Sequence, residues 1–200
     1  AAGAYSLEIA KIMGIQTNLT FLPFKGLYLK SRQKVKAYKR HIYPVPDINQ
    51  PFLGIHTTLT SDGFLKLGPT ALPVFSPENY QFFSGIEFKF AFEIIFNQIN
   101  LFFNNQFGYR DLALKEITYL IKKNIIKDAQ KLTSLNLNKI KFDWYTPGIR
   151  AQLYNISEKK LEMDFVYKKS NNQFHILNSI SPAWTCSFKT AKFIIEKITK

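Results

Sequence analysis

The order of the predicted secondary-structure elements constrains the fold of this 200-residue chain more than any other feature. Residue patterns predict a β-rich stretch over 18–29 and strands over 40–46, 52–60, 64–68, 140–146, 149–155, 161–167 and 174–178. Helical spacing covers residues 5–13, 87–99 and 111–127. Strands outnumber helices and do not alternate regularly with them. We therefore expect an α+β fold, with a mixed or antiparallel sheet and helices packed on it.

Local signals refine this prediction. Ser61-Asp62-Gly63 lies between two of the strands and predicts a tight hairpin. Ser181-Pro182, a capping residue followed by proline, predicts that a last helix starts there and runs to about Ile198. Two stripes of apolar residues at helical spacing predict the two middle helices. The first stripe is Phe88, Phe92, Ile95 and Ile99, and the second is Leu112, Ile117, Leu120, Ile121 and Ile125.

The composition is that of a packed domain, because 46% of the residues are hydrophobic and 20% are charged. No apolar run approaches the roughly 18 residues of a membrane span. The single Cys186 excludes an intramolecular disulfide and a cysteine-based zinc site, and it fits a cytoplasmic protein. The three histidines are far apart in the sequence, so we expect no metal.

The net charge of +13 has more than one interpretation. Seven basic residues and no acidic ones lie between Lys25 and Arg40, which is typical of a solvated face or a membrane-surface patch. Lys outnumbers Arg 23 to 4, which biased base composition would produce without selection for phosphate binding. No nucleic-acid-binding motif is present, and we expect no nucleic-acid partner.

Familiar catalytic motifs are also absent, including the glycine-rich dinucleotide turn, the P-loop, H-E-x-x-H and G-x-S-x-G. Several short segments are nevertheless unusually specific for loops. They are Pro23-Phe24-Lys25-Gly26-Leu27-Tyr28, residues 42–47 with 51–56, Leu67-Gly68-Pro69-Thr70-Ala71, Gly148-Ile149-Arg150-Ala151-Gln152 and Ser181-Pro182-Ala183-Trp184-Thr185.

In order and spacing, these segments closely resemble the L-2-hydroxyglutarate dehydrogenase/oxidase family. That family belongs to the FAD-dependent oxidoreductases of the D-amino-acid-oxidase superfamily. The resemblance covers nearly the whole chain and is most specific from Ile42 through Ala71.

The resemblance implies a domain organisation. Ala1-Ala2-Gly3 is similar to a turn that ends an FAD-domain strand, so we expect the dinucleotide-binding βαβ unit to lie upstream. Residues 1–15 would end an FAD-domain segment, 16–145 would form the substrate-binding domain, and 146–200 would return to the FAD domain. Such a C-terminal portion is not expected to turn over alone.

The resemblance also implies roles for individual side chains. His56 would be the catalytic base that takes the substrate hydroxyl proton, the alternative being a hydrogen-bonded structural histidine. Arg150 would bind a substrate carboxylate or the flavin, the alternative being a structural ion pair. Tyr28, Tyr43 and Lys25 would line the substrate pocket, although Lys25 stands where the family would have Arg.

For the cofactor FAD, the resemblance implies contacts from Ala2, Gly3 and Gly148. Ser181, Pro182, Ala183 and Thr185 would open the last helix, whose free N–H groups would stabilise negative charge on the reduced flavin. The Phe-rich stretch between Phe82 and Phe103 is expected to form helix core or a domain interface, part of which could contact a membrane.

The leading hypothesis is oxidation of L-2-hydroxyglutarate to 2-oxoglutarate, with a quinone as the expected electron acceptor and a peripheral contact at the inner membrane. An enzyme of the same superfamily acting on glycerol 3-phosphate or an amino acid is the first alternative. The second is a non-enzymatic basic module that binds membrane surfaces.

Overall fold

One long strand, β2 (Phe24–Lys34), organises the main sheet. The computed structural model describes residues 2–46, 52–81, 84–170 and 172–199. On one edge β2 pairs with β4 (Phe64–Gly68) and then with β5 (Leu72–Pro73), and on the other edge with β6 (Phe142–Arg150). β3 (His56–Leu59) extends the sheet beyond β4. Both segments on the first edge belong to one run of chain, so residues 69–71 are held against the middle of β2.

The remaining strands of the described residues form two smaller sheets. β1 (Leu19–Phe21) pairs with β7 (Leu153–Asn155), which also pairs with β8 (Lys160–Leu161). β9 (Val166–Ser170) pairs with β10 (Gln173–Asn178). All these pairings are antiparallel, and the helices are α1 (Ser6–Ile12), α2 (Phe88–Asn104), α3 (Tyr109–Thr118), α4 (Lys122–Gln130) and α5 (Ser187–Ile198). The predicted α+β class with antiparallel strands is confirmed.

The hairpin between β3 and β4 is confirmed at the predicted residues. The Gly63 N–H donates to the Thr60 carbonyl at 2.9 Å, and the Thr60 N–H donates to the Phe64 carbonyl at 2.8 Å. Gly63 has φ +86°, a left-handed conformation that glycine adopts without the steric cost of a Cβ atom. A turn followed by a left-handed glycine is a standard way to close a short hairpin.

Three hydrophobic clusters hold the elements together. The first packs α4 against β4, the second packs α2 and α3 under the beginning of β2, and the third packs α1 against β10. Their central side chains are Leu29, Leu65, Leu67 and Ile125 in the first, Phe24, Ile94, Leu101 and Tyr109 in the second, and Leu7, Ala10, Leu153 and Leu177 in the third.

The helix over 87–99 is confirmed, but its predicted buried face is wrong. Phe88 and Phe92 are 79% and 78% exposed, whereas Ala91, Ile94 and Leu101 are buried. The helix is apolar on both faces, so periodicity alone did not distinguish them. The Phe-rich stretch was expected to form helix core or a domain interface. The first alternative is wrong for the exposed Phe88 and Phe92, and the second stays a prediction. Phe82 and Phe83 lie outside the described residues.

The single helix over 111–127 is also wrong, because α3 and α4 are separate helices. Residues 119–121 form the connection. There the Tyr119 and Leu120 N–H groups donate to the Glu116 and Ile117 carbonyls, three residues back, in turns tighter than those of an α-helix. Ile117, Leu120 and Ile121 of the predicted apolar stripe are exposed.

Four further elements differ from the predictions. Residues 40–46 form no strand beyond one bridge between Ile42 and Thr57. The predicted strand 149–155 is divided, because β6 ends at Arg150 and β7 starts at Leu153; 161–167 is likewise divided between β8 and β9. The last helix begins at Ser187, not after Ser181-Pro182.

β6 runs without a break through residues 145 and 146, where the sequence predicted a domain boundary. The predicted division of the chain into residues 1–15, 16–145 and 146–200 stays a prediction. Among the helices of the described residues, none combines the length and apolar character needed to cross a membrane.

Candidate functional site

A cleft of about 1000 Å³ lies where the chain's separated motifs meet. One wall comes from the N-terminal turn, another from the segment that leads into β3, and a third from the end of β6 and the end of β10. The lining residues are Ala2, Gly3, Ser6, Tyr43, Phe52, Leu53, His56, Ile149, Arg150, Ala151, Gln152, Met163, Ile176, Leu177, Ser179, Ile180 and Ser181. The cleft thus brings together six residues for which the sequence predicted a catalytic, substrate or cofactor role. They are Ala2, Gly3, Tyr43, His56, Arg150 and Ser181.

His56 enters this cleft at the first residue of β3, half-buried and held by its own turn. Gly54 has φ +84°, and its carbonyl lies 3.2 Å from His56 Nδ1. Because a carbonyl only accepts, Nδ1 carries the proton and Nε2 of the neutral ring keeps its lone pair. Burial lowers the pKa of His56 below its ordinary value of 6.5; the hydrogen bond to Gly54 raises it, and the positive charges of Arg150, Lys66 and His41 lower it. The ring is neutral near pH 7 and chemically able to accept a proton.

Tyr43 covers one side of that imidazole. The two ring centroids are 4.3 Å apart with an interplanar angle of 30°. Tyr43 comes from the segment before the hairpin, so the contact joins the start of the predicted motif to its end. Asp47 and Pro51 of the same motif lie outside the described residues.

Arg150 ends β6 and is half-buried on the cleft wall. Its Nη1 donates to the Thr70 carbonyl at 2.9 Å, and its guanidinium lies 5.4 Å from the centre of the Phe52 ring. Burial lowers the pKa of Arg150, while Tyr28 and Glu116 raise it. No carboxylate of the described residues is ion-paired with it. The structural ion pair that was the alternative role is therefore absent from the described part of the chain.

The segment Gly68-Pro69-Thr70-Ala71 explains how Arg150 is held. The Thr70 hydroxyl accepts from the Leu27 N–H at 2.9 Å and donates to the Lys25 carbonyl at 3.2 Å, which fixes the segment to β2. Gly26 permits the approach, because a Cβ atom there would lie 2.8 Å from Pro69 Cβ. This packing explains the specificity of two motifs that the sequence analysis singled out without a structural role.

Glu116 is a component of the site that sequence reasoning missed. It lies on α3, is only 3% exposed, and accepts a hydrogen bond from the Ala71 N–H. Burial raises its pKa to about 7, although the Ala71 N–H and the charge of Arg150 lower it. A signal was present, because Glu116 follows Tyr109, Leu112 and Ala113 at helical spacing on a face that the fold buries.

Tyr28 lies beside the cleft, not on its lining. Burial raises the pKa of Tyr28, Arg150 lowers it and Tyr43 raises it, so the three side chains influence one another electrostatically. The Lys66 ammonium lies 4.1 Å from the centre of the Tyr28 ring. Tyr28 is thus a neighbour of the site through Arg150.

Lys25 and Gly148 are not among the cleft residues. Lys25 is 5% exposed, and its ammonium donates to the Gln81 carbonyl at 3.2 Å. Gly148 pairs with Gly26 across β2 and β6, and it is exposed. Their predicted substrate and cofactor contacts stay predictions.

The helix N-terminus expected at residues 181–185 lies instead at Ser187, so the predicted helix start is wrong. The flavin contacts predicted for Ser181, Pro182, Ala183 and Thr185 stay predictions. The Ala183 N–H bonds to the Ile180 carbonyl at 2.9 Å, and the Cys186 N–H bonds to the Pro182 carbonyl at 3.0 Å. Turns therefore use these donors before α5 begins. Ser181 lines the cleft, whereas Pro182, Ala183 and Thr185 do not.

The basic segment between Lys25 and Arg40 is not one exposed face. Lys25 is buried, Lys30 lies 3.6 Å from Asp62, and Arg32 makes two hydrogen bonds to Asp143. The pairing partners come from the hairpin and from β6. Lys34, Lys36, Lys39 and Arg40 of this segment are exposed, and the non-enzymatic membrane-surface module stays a prediction. Within the described residues, no group of three His, Cys, Asp or Glu side chains could hold a metal ion.

Comparison with known proteins finds homologues that share one name. The chain is 31% identical over 205 residues to the mitochondrial L-2-hydroxyglutarate dehydrogenase of Mus musculus, which covers 98% of this chain and 43% of that protein. It is 33% identical over 213 residues to the mitochondrial enzyme of the same name from Caenorhabditis briggsae, covering 100% of this chain and 46% of the relative. The chain is homologous to the L-2-hydroxyglutarate dehydrogenases.

Bacterial members of the L-2-hydroxyglutarate dehydrogenases show the same similarity. The protein of that name from Indibacter alkaliphilus is 29% identical over 204 residues, which cover 98% of this chain and 48% of the relative. The chain spans less than half the length of these relatives. No protein-family model matches it. The resemblance predicted from the motifs is confirmed at the level of the family, whose name is that of a dehydrogenase.

Proposed function

We propose that the protein carrying this chain oxidises L-2-hydroxyglutarate to 2-oxoglutarate, with FAD as the cofactor. The names of the relatives support the reaction, and the cleft supplies two side chains that suit its chemistry. A 2-hydroxy acid must lose a hydride from its carbon and a proton from its hydroxyl group. The site therefore needs a carboxylate-binding group and a base.

Arg150 is the observation on which the proposal depends. A guanidinium has five N–H donors and binds a carboxylate through two parallel hydrogen bonds. Arg150 gives one donor to Thr70, and its remaining donors make no hydrogen bond within the described residues. A half-buried cation on the wall of a cleft gains from an anionic ligand, because partial burial has removed much of the water that would otherwise solvate it.

His56 would take the hydroxyl proton at Nε2. The Gly54 carbonyl orients the ring by accepting from Nδ1, and Tyr43 limits its movement from one side. A lowered pKa keeps the imidazole unprotonated at neutral pH, which is the state that a base requires.

The residues around the cleft fit the ring end of a flavin. Ala2, Gly3 and Ser181 contribute small residues to the lining, and a Cβ atom built on Gly3 meets nothing within 4 Å. Leu53, Ile149, Met163 and Ile176 add apolar surface that suits a flat aromatic ring. FAD, when bound, supplies the acceptor for the hydride that leaves the substrate carbon.

A substrate panel tests the proposal. The complete protein should contain flavin and should reduce an artificial acceptor with L-2-hydroxyglutarate faster than with glycerol 3-phosphate or an amino acid. The Arg150→Lys variant should lose roughly 10- to 100-fold in kcat/KM, because an ammonium cannot reproduce the bidentate contact.

The matched control is Arg110→Lys, which changes an arginine on α3 that packs against Phe102 and is not a cleft residue. It should keep the wild-type kcat/KM. A purified protein without flavin, or equal rates with all three substrate classes, would refute the proposed reaction. A quinone acceptor and a peripheral contact with the inner membrane, through exposed Phe88, Phe92 and Phe96, stay predictions.

A further inference from the structure

One peptide group joins two oppositely charged side chains, the buried Glu116 and the half-buried Arg150. The carbonyl oxygen of Thr70 accepts from Arg150 Nη1 at 2.9 Å, and the N–H of Ala71 donates to Glu116 Oε2. That carbonyl and that N–H belong to the same peptide unit, so Arg150 of β6 and Glu116 of α3 bind its two polar groups. A carboxylate that accepts the N–H polarises the carbonyl and strengthens its bond to the guanidinium.

The surrounding structure fixes this peptide in one orientation. The Thr70 N–H donates to the Leu27 carbonyl at 3.2 Å, and the Thr70 hydroxyl bonds to β2 in both directions. Thr70 is fully buried. Together with the hydrogen bond to Glu116, these bonds fix the peptide whose carbonyl oxygen holds Arg150 on the cleft wall.

We propose that Glu116 is a positioning residue for Arg150, acting through the Thr70–Ala71 peptide so that the guanidinium faces a carboxylate of the substrate. This inference rests on the proposed function, since it assigns a purpose to the carboxylate-binding role of Arg150. Glu116 itself is not a cleft residue.

Folding stability alone does not account for a carboxylate at this position. Burial raises the pKa of Glu116 to about 7, so its ionisation above that pH makes the folded protein less stable. A neutral amide would fill the same space at lower electrostatic cost. The charged and titratable groups that act on Glu116 or respond to it are Arg150 on β6, Lys115 and Tyr109 on α3, Tyr119 after α3 and Asp128 on α4.

The experiment compares wild-type protein with the Glu116→Gln variant by equilibrium binding of glutarate. Glutarate carries two carboxylates and no hydroxyl group to oxidise. At pH 8, where Glu116 is ionised, the variant should bind glutarate about tenfold more weakly, the effect of one charge-assisted hydrogen bond. At pH 6 wild-type Glu116 is protonated, so the two proteins should agree within about twofold. Titration of His56 occurs in both proteins and cancels in the ratio.

The control is Asp111→Asn, which makes the same charge change at an exposed position on α3. It should leave glutarate binding at wild-type strength at both pH values. In turnover, Glu116→Gln should raise the KM for L-2-hydroxyglutarate more than it lowers kcat, and thermal melting should show that the variant folds.

A second comparison separates positioning from a general structural effect. In an Arg150→Lys background, Glu116→Gln should cause little further loss, because the group that it positions is gone. An equal tenfold loss in both backgrounds would overturn the inference, as would unchanged or tighter glutarate binding by Glu116→Gln at pH 8. If wild-type protein neither binds glutarate nor oxidises L-2-hydroxyglutarate, the proposed function fails and the inference with it.

Discussion

A methyl group added to Gly26 should disturb both the fold and the substrate site. The Cβ atom of Gly26→Ala would lie 2.8 Å from Pro69 Cβ and 3.5 Å from both Arg150 Nη1 and the Thr70 carbonyl oxygen. Carbon atoms in good contact are about 3.5–4.0 Å apart. The segment that holds Arg150 must therefore shift by several tenths of an ångström or more, and the 2.9 Å bond between Arg150 and Thr70 shifts with it.

Overpacking of this kind costs about 1–3 kcal/mol in free energy of unfolding. Gly148 is the matched control, because it is the direct partner of Gly26 across β2 and β6 and its added Cβ meets nothing within 4 Å. Replacing an unstrained glycine in a strand by alanine normally stabilises a protein by about 0.5–1 kcal/mol. The two substitutions should thus change stability in opposite directions.

Urea denaturation of the complete protein, followed by circular dichroism, measures both free energies. Gly26→Ala should also raise the KM for L-2-hydroxyglutarate, since Arg150 is displaced. Equal stability of the two variants, or a Gly26→Ala protein more stable than wild type, would refute the packing argument.

Two further outcomes follow from the site. The acid limb of kcat/KM should lie below pH 6.5, because burial and nearby positive charge lower the pKa of His56 and the neutral ring is the proposed base. Lys66→Gln should move this limb upward, and a limb above 6.5 in wild-type protein contradicts the assignment. Thr70→Val should destabilise the protein by about 1–3 kcal/mol in urea denaturation, because the buried Leu27 N–H loses its acceptor. Thr118→Val, at an exposed helix end, should change stability little, and similar losses in both variants would count against this account.

The sequence predicted those parts of the fold that depend on local chemistry. The Asp62-Gly63 turn needs a left-handed residue, and glycine supplies it wherever the rest of the chain lies. Helix boundaries were less reliable, because the Ser181-Pro182 pattern suits a turn as well as a helix start and the turn was formed. In α2 both faces are apolar, so local periodicity did not determine which face packs.

The candidate site divides in the same way. His56 and Arg150 carry distinctive chemistry within recognisable motifs, and both were named from the sequence and lie on the cleft. Glu116 was missed, since its role depends on α3 packing beneath residues that are 45 positions away in the chain. Lys25 was named for its motif, but the structure directs its ammonium to the Gln81 carbonyl.

The sequence by itself determined the α+β class, the hairpin at Asp62-Gly63, the resemblance to the L-2-hydroxyglutarate dehydrogenases, and the choice of His56 and Arg150 as site residues, both of which lie on the cleft. Tertiary structure alone decided which helix faces are buried, where the last helix begins and how Arg150 is held. The physical reason is how far apart in the chain the interacting residues lie. Turn conformation depends on neighbouring residues, whereas burial and the Glu116–peptide–Arg150 contact depend on segments that meet only in the folded chain.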